Sequence, residues 1–593
     1  IVSSGDYGSN DVLTLTSSQI SSLGLPSTHT NTDETTIPIA NLSTLTDGDT
    51  STSTGETAST ISFGGLYSDS SLETQLSDSS SDYTIGATSL SEDLTVYIKV
   101  SVDHIYIDPT NGSDKNFGFS LDSPCKSLTK AFSWISPNLE TSSSSSSATS
   151  SAATIYVLSS ITSSSDLSRN YYNAVLKRHA NLTSSPVISL SSGSSTIQNL
   201  VVDGGASWSG LDDVATSGVS VLSNSGISAT CSCVVVSSGV TLTCSNVTFQ
   251  NNENSSSKAS ALDLEGTANL TDCVFNYNVS KTSSGALYTG SSAILQMSSG
   301  SFSYNATKNG NGGAVVVASA KGDNSPSNIY FDTVNFSTNF ATGNGGAVSI
   351  NTGKYASFNA CTFTDNGYDS TSTSSSYLGI DIYAAGSLYL AGNCAFCTSS
   401  EIYTTTSKVI ILNSDFTVVS SDDSSTSSTV KLTPKQYITT DSSGNVVNKS
   451  VHVLTDTSGS DDADLSSLIG YFTLADSDNY YLTTDGYIAM NSSTTLSVGT
   501  PSNYIVSYTE SSDDGEITIS VKNSSSSTEI TPATCSVAIY QSTDLITTYS
   551  DLQNSSMTFT FPTDLPEGNY ILYVVITDDN YYYDYSLSYE KSE

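Results

Sequence analysis

Cys273-Val274-Phe275-Asn276-Tyr277-Asn278, followed by the turn Gly285-Ala286-Leu287, is the stretch from which the fold can be read. Its ending, Phe-x-x-Asn, occurs five times: Phe249/Asn252, Phe275/Asn278, Phe302/Asn305, Phe336/Asn339 and Phe363/Asn366. Successive phenylalanines lie 26, 27, 34 and 27 positions apart. Between the copies a small-residue turn runs into an aliphatic strand: Ser260-Ala261-Leu262, Gly285-Ala286-Leu287, Gly312-Gly313-Ala314-Val315 and Gly345-Gly346-Ala347-Val348. A unit of that size cannot bury its own apolar face, so it must stack on its neighbours.

One unit has the pattern of a coil of parallel β-helix. In Cys273-Val274-Phe275 and Cys361-Thr362-Phe363 the first and third residues share a strand face. If that face is the interior, Phe falls on Phe, and Val247, Cys273, Gly300, Val334 and Cys361 form a second column. Asn three residues after Phe sits where the strand ends. It tolerates turn geometry, and its amide can bond its counterpart about 4.8 Å above. Paired glycines before Ala-Val permit positive φ and close approach of neighbouring coils.

The interleaved turns and Phe-x-x-Asn copies resemble the GGA(I/L/V) and FxxN repeats of polymorphic membrane protein adhesins. The resemblance implies a right-handed β-helix exposed at a cell surface, with adhesion or self-association. The turn at Gly285 lacks the second glycine, the one at Ser260 lacks both, and no membrane barrel follows the repeats. Another likeness lies upstream. His104-Ile105-Tyr106-Ile107-Asp108-Pro109, the turn Asn111-Gly112-Ser113-Asp114, and Ser123-Pro124 leading to a short helix resemble the entry of pectate-lyase-like β-helices. Leu128, Ala131, Phe132 and Ile135 fall at helical spacing, suiting a helix that covers the open end of the stack.

Composition narrows the function classes. Lys+Arg number 18 against 57 Asp+Glu, a formal charge of −39. Such a surface repels phosphate backbones and anionic lipid, which argues against a nucleic-acid partner. Arg169 and Arg178 are the only arginines. Abundant Ser and Thr could signal disorder, but 34 Tyr and 17 Phe along the chain argue for folded β structure. The sequence opens on Ile1-Val2-Ser3-Ser4, which reads as a processed N-terminus, and no stretch reaches transmembrane length.

Thirteen Asn-x-Ser/Thr sequons occur: Asn41, Asn111, Asn181, Asn246, Asn254, Asn269, Asn278, Asn305, Asn335, Asn448, Asn491, Asn523 and Asn554. With extracellular repeats as context, several are expected to carry glycans; compositional accident is the alternative. The nine cysteines are irregularly spaced. If Phe396 continues the Phe file, Cys361 and Cys394 share a column on adjacent coils within disulfide reach, buried filler being the alternative. An odd total leaves at least one thiol free or bonded to another chain.

The expected organisation is all-β: a β-rich N-terminal region (1–103), a parallel β-helix (104–420) of roughly a dozen coils, closing coils or a cap (421–502), and an Ig-like β-sandwich with a Tyr-rich tail (503–593). Tyr480–Ile488 is a hairpin candidate. In the last region short strands recur at sandwich spacing. Leu565-Pro566-Glu567-Gly568-Asn569-Tyr570 resembles the approach to a late strand of Ig-like domains, where Tyr closes a corner.

Catalytic candidates are few. A lyase of this fold would need an Arg or Lys base beside Ca²⁺-binding carboxylates, and a glycosidase would need clustered acids. Lys177-Arg178-His179 is the one cationic cluster, expected at an outward-facing coil edge. Asp263 and Glu265 alternate with Leu262 and Leu264 and are expected to be solvated. Asp203-Gly204 reads as a turn. Asp476-x-Asp478-Asn479 and Asp461-Asp462-x-Asp464 offer hard oxygens for Ca²⁺ but stop short of a twelve-residue loop ending in Glu. His29, His104, His179 and His452 form no ligand pair. Gly-rich Asn309-Gly310-Asn311-Gly312-Gly313 lacks the Lys-Ser/Thr ending of a phosphate cradle.

No catalytic, cofactor or metal residue is therefore expected. The sequence predicts a secreted glycoprotein that self-associates head to tail in a filament or coat, with adhesion to cell-surface or matrix glycans as one alternative and polysaccharide cleavage as another.

Overall fold

The computed structural model describes residues 97–132, 153–211, 213–214, 219–256, 258–321, 327–368, 378–405, 410–421, 428–437, 451–458, 464–490, 504–511, 516–523, 534–541, 544–550, 557–563, 565–578 and 581–591, with short segments elsewhere. Nearly all of the regular structure is β. Three parallel sheets run along one coil stack, of 16, 10 and 5 strands. The first face runs from His104–Ile107 to Leu454–Asp456 and includes the ten-residue strands Thr241–Gln250, Thr267–Asn276 and Ile294–Ser303. The second runs from Ile188–Leu190 through Leu262–Leu264, Leu287–Thr289 and Val348–Ile350 to Phe472–Leu474. The third is a file of two-residue strands from Glu253–Asn254 to Gly367–Tyr368. This is a parallel β-helix, and its ladders continue past residue 420.

Each repeat contains two left-handed corners, and these explain the Phe-x-x-Asn spacing. The first bends the long strand just before the Phe segment, at Asn246, Asp272, Ser299, Thr333 and Ala360. The second falls two residues after Phe, at Asn251, Tyr277, Tyr304, Thr338 and Asp365, each with φ between 52° and 57°. That second corner turns the next residue, the Asn, into the interior. At the turn the glycines divide the labour. Gly312 and Gly345 adopt φ of 66° and 71°. Gly313 and Gly346 lie where a Cβ would come within 2.1 Å of Gly346 O and 2.2 Å of Ile380 O, so the coils meet backbone to backbone there.

The interior is one continuous apolar core. Phe249, Phe275, Phe302, Phe336, Phe363 and Phe396 stand in a single file, with centroids 4.6, 4.7, 5.1, 5.0 and 5.2 Å apart and rings within 11° of parallel. In-register pairing of adjacent strands sets that spacing. Phe331 and Phe358 form a second stack, edge-on to the first. At the N-terminal end a helical turn over 128–132 buries Leu128, Ala131 and Phe132, while Ile135 lies outside the described residues. At the other end Tyr480–Leu482 pairs antiparallel with Tyr487–Met490.

The C-terminal region has its own core. Its strands are β1 (Tyr504–Glu510), β2 (Glu516–Asn523), β3 (Thr534–Gln541), β4 (Asp544–Tyr549), β5 (Thr558–Thr560), β6 (Gly568–Asp578) and β7 (Tyr581–Lys591). They form two sheets, β1-β2-β5 and β7-β6-β3-β4, all antiparallel, with Ser497–Val498 added parallel to β7. Tyr570, 1 % exposed, donates its hydroxyl to Pro566 O at 2.7 Å and closes the corner before β6.

Candidate functional site

The most organised polar feature of the described residues lies inside the coils. Asn252, Asn278, Asn305, Asn339 and Asn366 form a buried ladder in which each Nδ2 donates to the next Oδ1 at 2.7 to 2.9 Å. The second amide hydrogen of each later rung goes to a phenylalanine carbonyl: Asn278 to Phe249, Asn305 to Phe275, Asn339 to Phe302 and Asn366 to Phe336, at 2.9 to 3.0 Å. The same Oδ1 atoms accept the backbone N–H of the preceding rung. A middle rung such as Asn305 thus satisfies its amide completely, as a buried polar group must.

The ladder has a direction and two distinct ends. At its start Asn252 Oδ1 is buried without a partner, because the preceding coil offers Gly204, where a Cβ would come within 2.4 Å of that oxygen. At its finish the sixth copy of the repeat reads Phe396-Cys397-Thr398-Ser399, with no Asn. Asp381 reaches into the vacated place. Its Oδ1 accepts Asn366 Nδ2 at 2.8 Å, its Oδ2 accepts the Glu401 N–H at 3.2 Å, and Ser400 bonds it as well. The carboxyl is fully buried, and burial pushes its pKa up to about 6 against the pull of those hydrogen bonds.

Burial corrects three of the glycan expectations. Asn278 and Asn305 are 0 % exposed, and both hydrogens of each amide are already donated. Asn254 is 1 % exposed and donates to Ala259 O at 2.8 Å. A glycan needs that same nitrogen and room for a sugar, so these three sites are incompatible with the folded coil. Asn111, Asn181, Asn246 and Asn335 are exposed and Asn269 is half-buried. Asn523 ends β2, and its side chain lies outside the described residues, as do Asn41, Asn448, Asn491 and Asn554.

The Cys361–Cys394 bridge is also corrected: both are free thiols, as are the other seven cysteines. Their strands pair in register, with Thr362 beside Ala395 and Phe363 beside Phe396. Side chains directly above one another in a parallel ladder run parallel about 4.8 Å apart, wider than the 3.5–4.5 Å between Cβ atoms of a disulfide. Burial pushes the Cys394 thiol up to about 11 and raises Cys361 further. Cys231 is the one cysteine that is not fully buried.

The remaining candidates are engaged structurally. Arg178 is not at an outward edge. It is 1 % exposed, its guanidinium donating to the carbonyls of Leu182 at 2.5 Å, Ser185 at 2.7 Å and Ser232 at 3.5 Å. His179 is buried beside it. Asp263 is covered rather than solvated, paired with Lys258 at 2.9 Å, and Glu265 lies 3.4 Å from the same ammonium. Asp203 Oδ1 accepts the Gly205 N–H, closing a turn. Asp476 accepts an amide hydrogen of Asn479 and Asp464 the Ser466 N–H, while Asp461 and Asp462 lie outside the described residues. Among the described residues no group of three His, Cys, Asp or Glu could hold a metal, and no helix is long and apolar enough to cross a membrane.

Sequence reasoning found the ladder rungs and missed Asp381. The only signal for it was the absent Asn after Phe396. No family model, curated protein or solved structure matches this chain.

Proposed function

We propose that this chain is a secreted, non-enzymatic glycoprotein, a structural subunit of an extracellular filament or cell-surface coat joined to its neighbours through its terminal regions. The observation that supports this reading is the ladder. Five amides and six stacked rings run through consecutive coils, and each rung hydrogen-bonds the next. A stack bonded along its whole axis resists bending, and the twelve strands along the first face give a rod on the order of 50 Å. Stiff rods with different ends suit open, head-to-tail assembly.

The finer assignments belong to the same proposal. The coils are read as right-handed and as relatives of the polymorphic membrane protein repeat. The C-terminal sandwich is read as Ig-like, supported by its strand order and by the Tyr570 corner. Exposed Asn111, Asn181, Asn246 and Asn335 are the proposed glycan carriers. Electron microscopy of native material tests the whole reading: filaments or lattices with a rod-shaped repeat are expected, and dispersed single molecules would overturn it.

A second reading, adhesion to surface or matrix glycans, is favoured by paired tyrosines along the coils, Tyr277 on Tyr304 at 5.2 Å and Tyr383 on Tyr403 at 5.4 Å. Glycan arrays and cell-binding assays separate it from the first. Polysaccharide cleavage is tested by incubation with polygalacturonate and Ca²⁺, where no product is expected.

A further inference from the structure

A strand at a sheet edge presents unpaired N–H and C=O groups, and folded proteins blunt such edges with covers, charges or brevity. Several described edges obey this. His104–Ile107, the first edge of the coil stack, is covered: Tyr106 donates its N–H to Gly118 O at 2.8 Å and accepts that of Cys125 at 3.1 Å. At the other end Val453 and Leu454 both donate to Gly486 O. In the sandwich, β5 is three residues long. β1 carries Glu510 and sends the Tyr508 hydroxyl to Ser588 O of β7 at 3.0 Å, and β7 carries Asp584, Glu590 and Lys591.

β4 carries Asp544 at its first position, sends the Tyr549 hydroxyl to Thr560 O of β5 at 2.7 Å and has one register shift against β3, but the middle of the strand is uncharged and uncovered. From Leu545 to Tyr549 it reads Leu-Ile-Thr-Thr-Tyr, without charge, proline or glycine. It is the last strand of its sheet. Leu545 is 55 % exposed, the most of any large hydrophobic among the described residues, and Ile546 is 36 % exposed. Strand register places Ile571, Tyr540 and Leu545 in one row across the outer face, with Ile571 39 % exposed. Elsewhere in the described residues, exposed large hydrophobics are Val221, Tyr481 and Ile505.

We propose that β4 pairs antiparallel with β4 of a second copy, so that two sandwiches share one continuous sheet. Three arguments select a second copy as the occupant. An antiparallel strand pair about a twofold axis is self-complementary: each residue i that meets residue j of the second copy is matched by j meeting i, and only the residue on the axis meets its own copy. The strip is neutral on a chain carrying −39, so it is where two like-charged copies approach at least electrostatic cost. Two such strips with their flanking rows bury roughly 1,000 Å² in total, the low end for a specific contact, which sets a weak dimer. The inference goes beyond the proposed function, since a twofold contact closes a pair while head-to-tail contacts propagate.

Sedimentation velocity of the full chain over a micromolar concentration series tests it. The expected result is a monomer–dimer equilibrium that strengthens as salt rises, because screening removes the repulsion while the neutral contact remains. Leu545→Lys with Ile546→Lys is expected to weaken the dimer at least tenfold with an unchanged melting temperature. Thr548→Cys, an exposed edge position, provides a second readout in a Cys231→Ser background: with the twofold axis beside Thr548, mild oxidation should trap one covalent dimer and nothing larger. A chain monomeric throughout the series, a dimer untouched by the lysines, or a ladder of crosslinked species would each overturn the proposal. Native filaments formed by a chain that shows no β4-dependent dimer would overturn the proposal while leaving the filament reading in place.

Discussion

Replacing Asn305 by Ala should be among the most damaging single changes in the coil stack, and the reason is the rung above and the rung below. The Asn305 side chain donates to Asn339 Oδ1 and Phe275 O and accepts from both the N–H and Nδ2 of Asn278. Alanine removes all four bonds and leaves two donors of Asn278 orphaned at a position that is 0 % exposed. A buried polar group without a partner costs about 1–3 kcal/mol, so the two orphaned donors cost roughly 2–6 kcal/mol. That is a large fraction of the ~5–15 kcal/mol that holds a domain together. The cavity left by the missing carboxamide adds to it.

Asn305 also heads a sequon, so a destabilised N305A could be attributed to a lost glycan. Thr307→Val separates the two accounts. It abolishes the sequon, leaves the amide in place, and removes a hydroxyl that is buried without a partner. The ladder account therefore expects Thr307→Val to be neutral or stabilising, by up to about 1 kcal/mol, and Asn305→Ala to be severe. Denaturant unfolding followed by near-ultraviolet circular dichroism measures both. Equal loss in the two variants, or an Asn305→Ala midpoint indistinguishable from the native one, would refute the ladder as a source of stability.

Three further outcomes follow from particular residues. Asp381 has a folded-state pKa near 6, above its unfolded value of 3.8, so its contribution is fully present below about pH 3.8 and is lost as pH rises through 6. Two pKa steps correspond to about 3 kcal/mol, an upper bound on what Asp381→Asn restores at pH 8. The variant should raise the melting temperature at pH 8 more than at pH 4, and an identical shift at both would refute the assignment. Glycopeptide mapping after enzymatic deglycosylation should find occupancy among Asn111, Asn181, Asn246 and Asn335 and none at Asn254, Asn278 or Asn305, one occupied buried site being enough to contradict the coil geometry. Gly313→Ala should cost several kcal/mol, since its Cβ would come within 2.1 Å of Gly346 O and 2.5 Å of Phe340 N, and expression of a protein of native stability would rule that packing out.

The file of rings and the ladder of amides were legible in the sequence because one side-chain chemistry recurs at one spacing. The corner that creates the spacing was not. Its positions hold Asn251, Tyr277, Tyr304, Thr338 and Asp365, a set with no shared chemistry, so the left-handed φ is imposed by the residues around it. Arg178 was misplaced for a related reason. An arginine in a polar stretch reads as surface, and the three carbonyls that accept from it come from residues 182, 185 and 232. The buried sequons were a conflict visible from the start. Asn278 and Asn305 fit the pattern both of interior rungs and of glycan sites, and one amide nitrogen cannot do both.

Where the ladder stops bears on how the stack is built. A column of amides that all donate in the same direction leaves an acceptor at one end and a donor at the other. The acceptor end, Asn252 Oδ1, is simply shielded by a glycine in the neighbouring coil. The donor end is met by a carboxyl from Asp381, fifteen residues on from Asn366, in the place where the next coil supplies no Asn. As a carboxylate Asp381 accepts without donating onward, which an asparagine could not do, so it terminates the series without creating a further orphan. The cost is a buried acid whose protonation follows pH, placed in the coil in which the repeat ends.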